Sequence, residues 1–398
     1  MTYDAIIVGA RCAGSPLAML LARAGCKVLL LDKAAFPSDT ISSHYIHNSG
    51  VARLKQWGLL DRVCATGAPP VSRLRYDLGG CVLEGTPPPT DGVQVGIAPR
   101  RAVLDRILLE EALAAGASFR ESFAVDGLVH RDDRVVGIRG HHCGGASIEE
   151  QAMVVVGADG VGSVIAQMVE ATEYDACSGM TCLYYSYWSG LPMPMAELYA
   201  RPRCVSIAFP TNDGLTVVVN IWPLERLDEV RANLEEAFHR SLDELPNLGA
   251  RVREARREER FFGMVARRNF FRKPYGAGWA LAGDAGYHRD PITAQGMRDA
   301  FRDADLLSEA LIDGSAEALE RFEQRRNEES AAMYRMTMER ASFAPPPTQA
   351  MALMAAIVGN QEQTDRFLGV DAGSVRVEEF FSAGNVGAIL GRGAQCGM

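Results

Sequence analysis

Residues 279–300 read Trp-Ala-Leu-Ala-Gly-Asp-Ala-Gly-Tyr-His-Arg-Asp-Pro-Ile-Thr-Ala-Gln-Gly-Met-Arg-Asp-Ala. The opening apolar run ends at Gly283, and residues 295–311 carry apolar side chains at helical spacing, which predicts the order strand, loop, helix. Gly283 lets a bound group approach the backbone, and Asp284 can accept hydrogen bonds from a sugar hydroxyl. A helix that begins near Gly296 offers unpaired N–H groups to negative charge. These features suit a dinucleotide whose ring accepts electrons.

A second dinucleotide signature opens the chain. A buried strand, a helix over residues 15–24 and a second strand ending on Asp32 give the Rossmann βαβ order, with an acid where a ribose hydroxyl would lie. Arg11 replaces the usual middle glycine, so we expect its side chain to pair with a pyrophosphate or displace it outward. A solvent-facing loop residue is the alternative. The candidate cofactor-binding residues of this unit are Gly9, Arg11, Cys12, Ala13, Gly14, Asp32 and Lys33.

Together these motifs resemble the FAD-dependent monooxygenases related to p-hydroxybenzoate hydroxylase, and more loosely the geranylgeranyl reductases and flavin halogenases. In that family a Gly-Asp pair binds the ribityl and ribose end of FAD, and a proline seven residues on lies against the flavin. Asp284 and Pro291 have this spacing. The segment Gly296-Met297-Arg298 falls where backbone amides face the flavin pyrimidine edge. The resemblance covers residues 1–340.

The resemblance implies further contacts. Arg101, at the start of a predicted helix over residues 102–114, matches an arginine that contacts FAD, although an ion pair on the helix surface is the alternative. Ser43 and His44 lie in a loop that passes close to the flavin. His44 and Pro291 are therefore our candidate catalytic residues. His44 and His47 could equally be loop histidines that only bond backbone.

Asp159 begins an Asp-Gly-x-x-Ser sequence after a buried strand. It resembles the second fingerprint of the family, whose acid lies near FAD and whose surroundings are linked to nicotinamide binding. The family usually has an arginine where this chain has Ala166, which puts the nicotinamide contact in doubt. Val125 completes the set of candidate FAD contacts.

Composition narrows the classes of partner. The chain has 398 residues, 47% of them hydrophobic, and a formal net charge of -9, which argues against nucleic acid and anionic membranes. Nine cysteines without a Cys-x-x-Cys pair predict reduced thiols and no metal site. We see neither a signal peptide nor a membrane-spanning run, so we expect a soluble, cytoplasmic protein, as a monomer or homodimer.

The predicted fold class is α/β. A Rossmann-type, glutathione-reductase-like FAD-binding domain carries an antiparallel β-sheet domain over the substrate, because the hydrophobic period changes to two over residues 181–222. A C-terminal helical segment follows. The predicted bounds are 1–70, 97–175 and 260–345 for the FAD-binding domain, 71–96 and 176–259 for the sheet domain, and 346–398 for the C-terminal segment.

The resemblance implies an FAD-dependent monooxygenase, of a kind used in secondary metabolism, which takes electrons from NADH or NADPH. It would react with dioxygen through a flavin hydroperoxide and oxygenate a small hydrophobic, aromatic substrate. A reductase or dehydrogenase of the geranylgeranyl reductase type uses the same fingerprints and stays open. So does a non-enzymatic FAD-binding protein. The Trp-x-Trp-x-Ile-Pro pattern of flavin halogenases is absent.

Overall fold

The computed structural model describes residues 2–42, 44–142 and 144–393. The strands are β1 (Thr2–Val8), β2 (Val28–Leu31), β3 (Leu74–Asp77), β4 (Val82–Gly85), β5 (Ser118–Arg120), β6 (Phe123–Arg131), β7 (Arg134–His142), β8 (Ile148–Gly157), β9 (Glu173–Cys177), β10 (Thr181–Ser189), β11 (Ala196–Arg201), β12 (Cys204–Pro210), β13 (Thr216–Pro223), β14 (Arg256–Arg257), β15 (Phe262–Val265), β16 (Asn269–Arg272), β17 (Tyr275–Gly276), β18 (Trp279–Leu281) and β19 (Tyr287–His288).

The helices are α1 (Gly14–Arg23), α2 (Asn48–Gln56), α3 (Leu60–Cys64), α4 (Arg101–Ala114), α5 (Val164–Met168), α6 (Leu227–Ala232), α7 (Leu234–Asp243), α8 (Pro246–Glu254), α9 (Gly296–Asp313), α10 (Ala316–Ala341), α11 (Thr348–Ile357), α12 (Gln361–Ala372), α13 (Val377–Phe380) and α14 (Ala383–Gly393). Short 3-10 turns lie at Gly283–Ala285 and Pro291–Thr293. No helix in the described part of the chain combines the length and apolar character needed to cross a membrane.

The first sheet has the order β17-β18-β8-β1-β2-β5, with β7 paired to β8 and β6 to β7. Strands β18, β8, β1, β2 and β5 run parallel. The central strands are almost uniformly apolar because both faces are covered. Helices α1, α4 and α9 contribute Leu17, Leu108 and Phe301 to the core on one face, and Phe123 and Ile165 lie in the core of the other. The Rossmann prediction is confirmed.

Two sequence patterns predict the wrong local structure. Residues 117–125, 127–130 and 134–139 predict a small antiparallel meander, but residues 118–120 form β5, which lies parallel to β2, and β6, β7 and β8 form the meander. Helix α4 crosses over between β2 and β5, and such a crossover returns the chain in parallel. Residues 227–242 predict a single helix, but they form α6 and α7 because the backbone of Asn233 is not helical.

The second sheet has the order β14-β10-β13-β12-β11-β3-β4, with β15 also paired to β10. Alternation along β10 sends Tyr185 and Tyr187 to one face and Trp188 to the other. Helices α7 and α8 cover the Trp188 face. The other face joins the C-terminal helices, which add Phe367 and Phe380 to its core. Strand β15 belongs to this sheet although we predicted the FAD-binding domain to resume at residue 260.

Arg326 is fully buried on α10 and ties three parts of the chain together. Its guanidinium donates to the carbonyl oxygens of Arg272 at 3.0 Å and Gly286 at 3.1 Å. It also donates to the Tyr174 hydroxyl at 2.8 Å. Because those carbonyls lie at the end of β16 and of the turn that follows β18, Arg326 helps to fix the position of the loop that carries Asp284.

We expect Arg326→Leu to lower the free energy of unfolding by about 2–4 kcal/mol, because buried carbonyl groups lose their donors. Arg325→Leu is the matched control. That neighbouring side chain is exposed and pairs with Glu309 at the surface, so its loss should change stability by less than about 0.5 kcal/mol. Urea unfolding of the two variants measures the difference, and equal stabilities would contradict the assignment.

Candidate functional site

The loop after β1 is shaped by close backbone contacts. Gly9 has φ of 107°, and a Cβ there would lie 2.3 Å from the carbonyl oxygen of Ala158. A Cβ on Gly14 would lie 1.8 Å from the carbonyl oxygen of Gly9. Only glycine fits either position. The start of α1 is thereby held against the ends of β1 and β8, where a phosphate could meet its N–H groups.

Asp32 braces the same loop from the end of β2. Its carboxylate accepts hydrogen bonds from the N–H groups of Ala10 and Ala34, both at 2.8 Å. The oxygens keep lone pairs for a further donor, as ribose binding requires. The neighbouring Lys33 is exposed, whereas Cys12 and Ala13 are buried.

Arg11 and Arg101 share one buried carboxylate, that of Asp105. Arg11 Nη1 lies 2.7 Å from Asp105 Oδ2, and Arg101 Nε and Nη2 lie 3.0 and 2.9 Å from the two oxygens. Arg11 also donates to Ser38 Oγ at 2.8 Å. Because its guanidinium is paired with Asp105, Arg11 is not the solvent-facing loop residue of the alternative interpretation. Two guanidinium groups on one carboxylate leave positive charge uncompensated, which suits a pyrophosphate. Contact of either arginine with FAD stays a prediction.

Gly283 and Asp284 lie beside this loop. The Gly283 N–H donates to Asp303 Oδ2 at 3.0 Å, and a Cβ on Gly283 would lie 2.9 Å from that of Ala13. Within the part of the chain that the structure describes, the Asp284 carboxylate has no hydrogen-bond donor. Burial raises its pKa, while the charges of His288 and Arg101 oppose the rise. A half-buried acceptor without a donor is what the hydroxyls of a ribityl chain would satisfy.

Asp159 also keeps a free acceptor. Its Oδ2 accepts from the Val164 N–H at 2.7 Å, but Oδ1 is buried and has no partner among the described residues. Burial raises the pKa of this carboxyl group. Val125 lies on β6 and packs against the apolar core of the meander face, where its side chain contributes to packing.

The turn at Pro291–Thr293 leads directly into α9. Asp290 holds it, since its carboxylate accepts from the Ile292 N–H at 3.2 Å and the Thr181 hydroxyl at 2.9 Å. A Cβ on Gly296 would have no neighbouring atom within 4 Å, so the first turn of α9 is open on that side, while Met297 is buried. The open N–H groups fit the predicted contact with a flavin ring.

His44 is buried in a left-handed conformation, with φ of 58°. Its Nε2 forms a short hydrogen bond with the Tyr187 hydroxyl, and its Nδ1 has no partner among the described residues. Arg100 lies 4.2 Å above the Tyr187 ring. Burial, reinforced by Arg101 and Arg100, lowers the pKa of His44 to about 3. A neutral imidazole can orient a group but cannot donate as an acid near neutral pH. Ser43 lies outside the described residues.

An apolar cavity of about 50 Å³ lies between the second sheet and the Pro291 turn. We call it the sheet cavity. Its polar groups include His47, which contacts the Thr293 carbonyl through Nε2 at 3.3 Å and has a buried Nδ1 with no described partner. The sheet cavity is lined by Tyr45, His47, Leu74, Tyr76, Leu183, Ala196, Glu197, Leu198, Ile207, Phe209, Val219, Ile221, Pro291, Ile292, Thr293, Ala294, Arg340 and Asp371.

Several residues in and beside the sheet cavity carry no signal in the sequence. Arg340 and Asp371 form an ion pair at 2.7 Å between α10 and α12, and no local motif marks either residue. The alternating pattern of residues 181–188 does not tell which face of the sheet holds a ligand, so it marks Tyr187 only as a core aromatic. Its pairing with His44 could only be found once the sheet and the loop were placed together.

Comparison with known proteins identifies the family of this chain. Residues 2–337 match the FAD binding domain family, so the chain belongs to that family. Digeranylgeranylglycerophospholipid reductase of Methanosarcina mazei is 29% identical over 326 residues, which cover 77% of this chain and 74% of the relative. The chain is therefore an FAD-dependent oxidoreductase.

Solved structures share the fold at low identity. The flavin-dependent brominase Bmp2 superimposes with a TM-score of 0.81 at 18% identity, over 100% of this chain and 99% of that one. PqsL of Pseudomonas aeruginosa, named as a probable FAD-dependent monooxygenase, gives 0.69 at 21% identity, over 93% and 99%. Identities this low establish the fold and leave the reaction to be argued from the site.

We expect Asp284→Asn to weaken FAD binding by about ten- to a hundredfold, because a charge-assisted hydrogen bond is lost. The apoprotein should unfold at the same temperature or a higher one, since the variant removes a desolvated carboxylate. Fluorescence titration and thermal unfolding measure the two effects. Asp303→Asn is the control, because Asp303 accepts from Gly283 and Arg302 and its loss should lower stability. Unchanged FAD affinity in Asp284→Asn would refute the assignment.

Burial lowers the pKa of His47 to about 4, below its usual value of about 6.5. The unfolded chain therefore takes up a proton first as pH falls, and stability is lost between about pH 6.5 and 4. Between pH 7.5 and 5, we expect the free energy of unfolding to fall by about 2 kcal/mol less in His47→Gln than in the parent. Urea unfolding at each pH provides the measurement, with exposed His130→Gln as control. A parallel pH dependence of all three proteins would rule out the buried neutral imidazole.

Proposed function

We propose that this oxidoreductase is a monooxygenase that uses NADH or NADPH and dioxygen to oxygenate a small hydrophobic, aromatic substrate. The observation that carries the proposal is the position of the sheet cavity. It is apolar, it borders the Pro291 turn, and the open start of α9 follows within a few residues. A substrate there would lie against the ring that this turn and helix are predicted to hold.

FAD, when bound, supplies the electron transfer and the reaction of its reduced form with dioxygen. The side chains of this protein have other tasks. The apolar lining of the second sheet excludes water. The Nδ1 atoms of His44 and His47 have no partner among the described residues, so each can form a hydrogen bond with a polar group. In this proposal His47 orients the polar group of the substrate, and His44 and Tyr187 hold the loop that faces the flavin.

The size of the cavity favours a small substrate. A cavity of about 150 Å³ accepts a benzene ring, so the sheet cavity, at about 50 Å³, must widen to hold one. The rearrangement for a single ring is modest, whereas a long isoprenoid chain needs a much larger one. PqsL, of the same fold, has been solved in complex with 2-aminobenzoylacetate, a small molecule with one ring.

A reductase is the second candidate, and the identity with the Methanosarcina mazei enzyme favours it. That relative matches 77% of this chain. In a reductase the same cofactor would pass two electrons to a carbon–carbon double bond, and dioxygen would not be needed.

The decisive experiment compares the two reactions on the FAD-loaded protein. The rate at which the protein oxidises NADH and NADPH is measured with added aromatic compounds, in air and under nitrogen. We expect the stimulated oxidation to require dioxygen, and isotopically labelled dioxygen to appear in the product. Anaerobic reduction of an added isoprenoid, without label, would replace the proposal with the reductase.

We further expect Ala196→Phe to raise KM for such a substrate by about tenfold or more, because the larger side chain fills the cavity beside Leu198. FAD content and the slow oxidation of NAD(P)H without substrate should not change. Val82→Phe, at an exposed position of the same sheet, is the matched control. Equal KM values in both variants would show that the substrate binds elsewhere.

A further inference from the structure

A second, polar cavity is bordered by α2, α9 and α10. We call it the arginine pocket. It measures about 230 Å³ and is lined by Ser49, Arg53, Gln56, Thr90, Asp91, Arg298, Arg302, Glu329 and Gly373. None of these residues lines the sheet cavity, and none has a side chain that is a candidate FAD contact, since only the backbone amide of Arg298 is expected to face the flavin. The pocket therefore needs an explanation of its own.

Arg298 is the cation of this pocket that lacks a counter-ion. Its guanidinium donates to Gln295 Oε1 at 3.2 Å, and among the described residues no carboxylate oxygen lies within salt-bridge distance. Arg53 is paired with Asp305 at 2.9 Å. Arg302 is paired with Asp299 and Asp303, at 3.2 and 2.7 Å.

The surroundings of Arg298 make its charge costly. Burial and the neighbouring Arg289, Arg302 and Arg53 lower its pKa to about 10, against the opposing charge of Asp299. The backbone of Gly373 covers it so closely that a Cβ there would lie 2.8 Å from the central carbon of the guanidinium. A bound anion would relieve this excess of positive charge.

The other polar groups of the pocket complete an anion site. The Thr90 hydroxyl is buried without a hydrogen-bond partner among the described residues and can donate. The carboxylates of Asp91 and Glu329 belong to exposed residues, where water and salt weaken their repulsion. The volume is several times the roughly 30 Å³ that one water occupies, enough for a tetrahedral oxyanion with a short substituent.

We propose that the arginine pocket binds a small phosphate group, either the free anion or a phosphomonoester, held by the guanidinium of Arg298 and the hydroxyl of Thr90. Arg298 presents a planar fork of donors, which suits a phosphate better than a point charge would. The site is independent of the monooxygenase proposal, since it shares no residue with the sheet cavity.

The test is calorimetric titration of the FAD-loaded protein with inorganic phosphate and, separately, glycerol phosphate, at an ionic strength held constant with chloride. We expect saturable binding in the millimolar range or tighter, weakened about ten- to a hundredfold by Arg298→Gln. Glu329→Gln should strengthen binding about two- to fivefold, because a repelling carboxylate is removed. Arg256→Gln, an exposed arginine away from the pocket, should have no effect.

The two ligands distinguish the sources of the phosphate. Tighter binding of glycerol phosphate points to a phosphorylated metabolite, and equal binding points to the free anion; both outcomes support the site. Absence of saturable binding, or equal affinity in the parent and Arg298→Gln, would overturn it. Because Glu329→Gln acts in the opposite direction at an exposed residue, a failure of Arg298→Gln to fold leaves the proposal testable.

Discussion

The buried carboxylate of Asp303 holds the cofactor side of this molecule together. It accepts the Gly283 N–H at 3.0 Å and the Arg302 guanidinium at 2.7 Å, so the turn after β18 is joined to the middle of α9. Burial of such groups costs free energy unless every partner is present. Asp303 therefore connects the turn that carries Asp284 with Arg302, which lines the arginine pocket.

The local elements of the FAD-binding domain could be predicted because their signals are local. Apolar runs that end at glycine define β1, β8 and β18, and helical spacing defines α1 and α9. The pairing of the strands could not be predicted in the same way. Strand β5 was assigned to the wrong partner because three residues carry no information about the strand beside them, and the crossover through α4 decides it.

The site was predictable only as far as backbone geometry determines it. Glycine is required where another part of the chain approaches the backbone closely, and such glycines are visible in a sequence motif. This applies to Gly9, Gly14 and Gly283. The ion pair between Arg11 and Asp105 could not be predicted from the sequence, because the two residues are far apart in the chain. Arg101 is also one helical turn from Asp105 and is by itself a sufficient partner for that carboxylate. The ion pair of Arg340 and Asp371 is equally non-local, since α10 and α12 meet only after the sheet is covered.

The net charge of the chain does not describe the charge balance of its interior. A formal charge of -9 argues against polyanion binding, and that expectation stays a prediction. Around α1, α4 and α9 the balance is reversed: Arg11 and Arg101 share one acid, and Arg298 has none within salt-bridge distance in the described chain. Buried charge is screened far less than surface charge. A small anion would respond mainly to these few guanidinium groups, so the negative net charge does not argue against the proposed phosphate site.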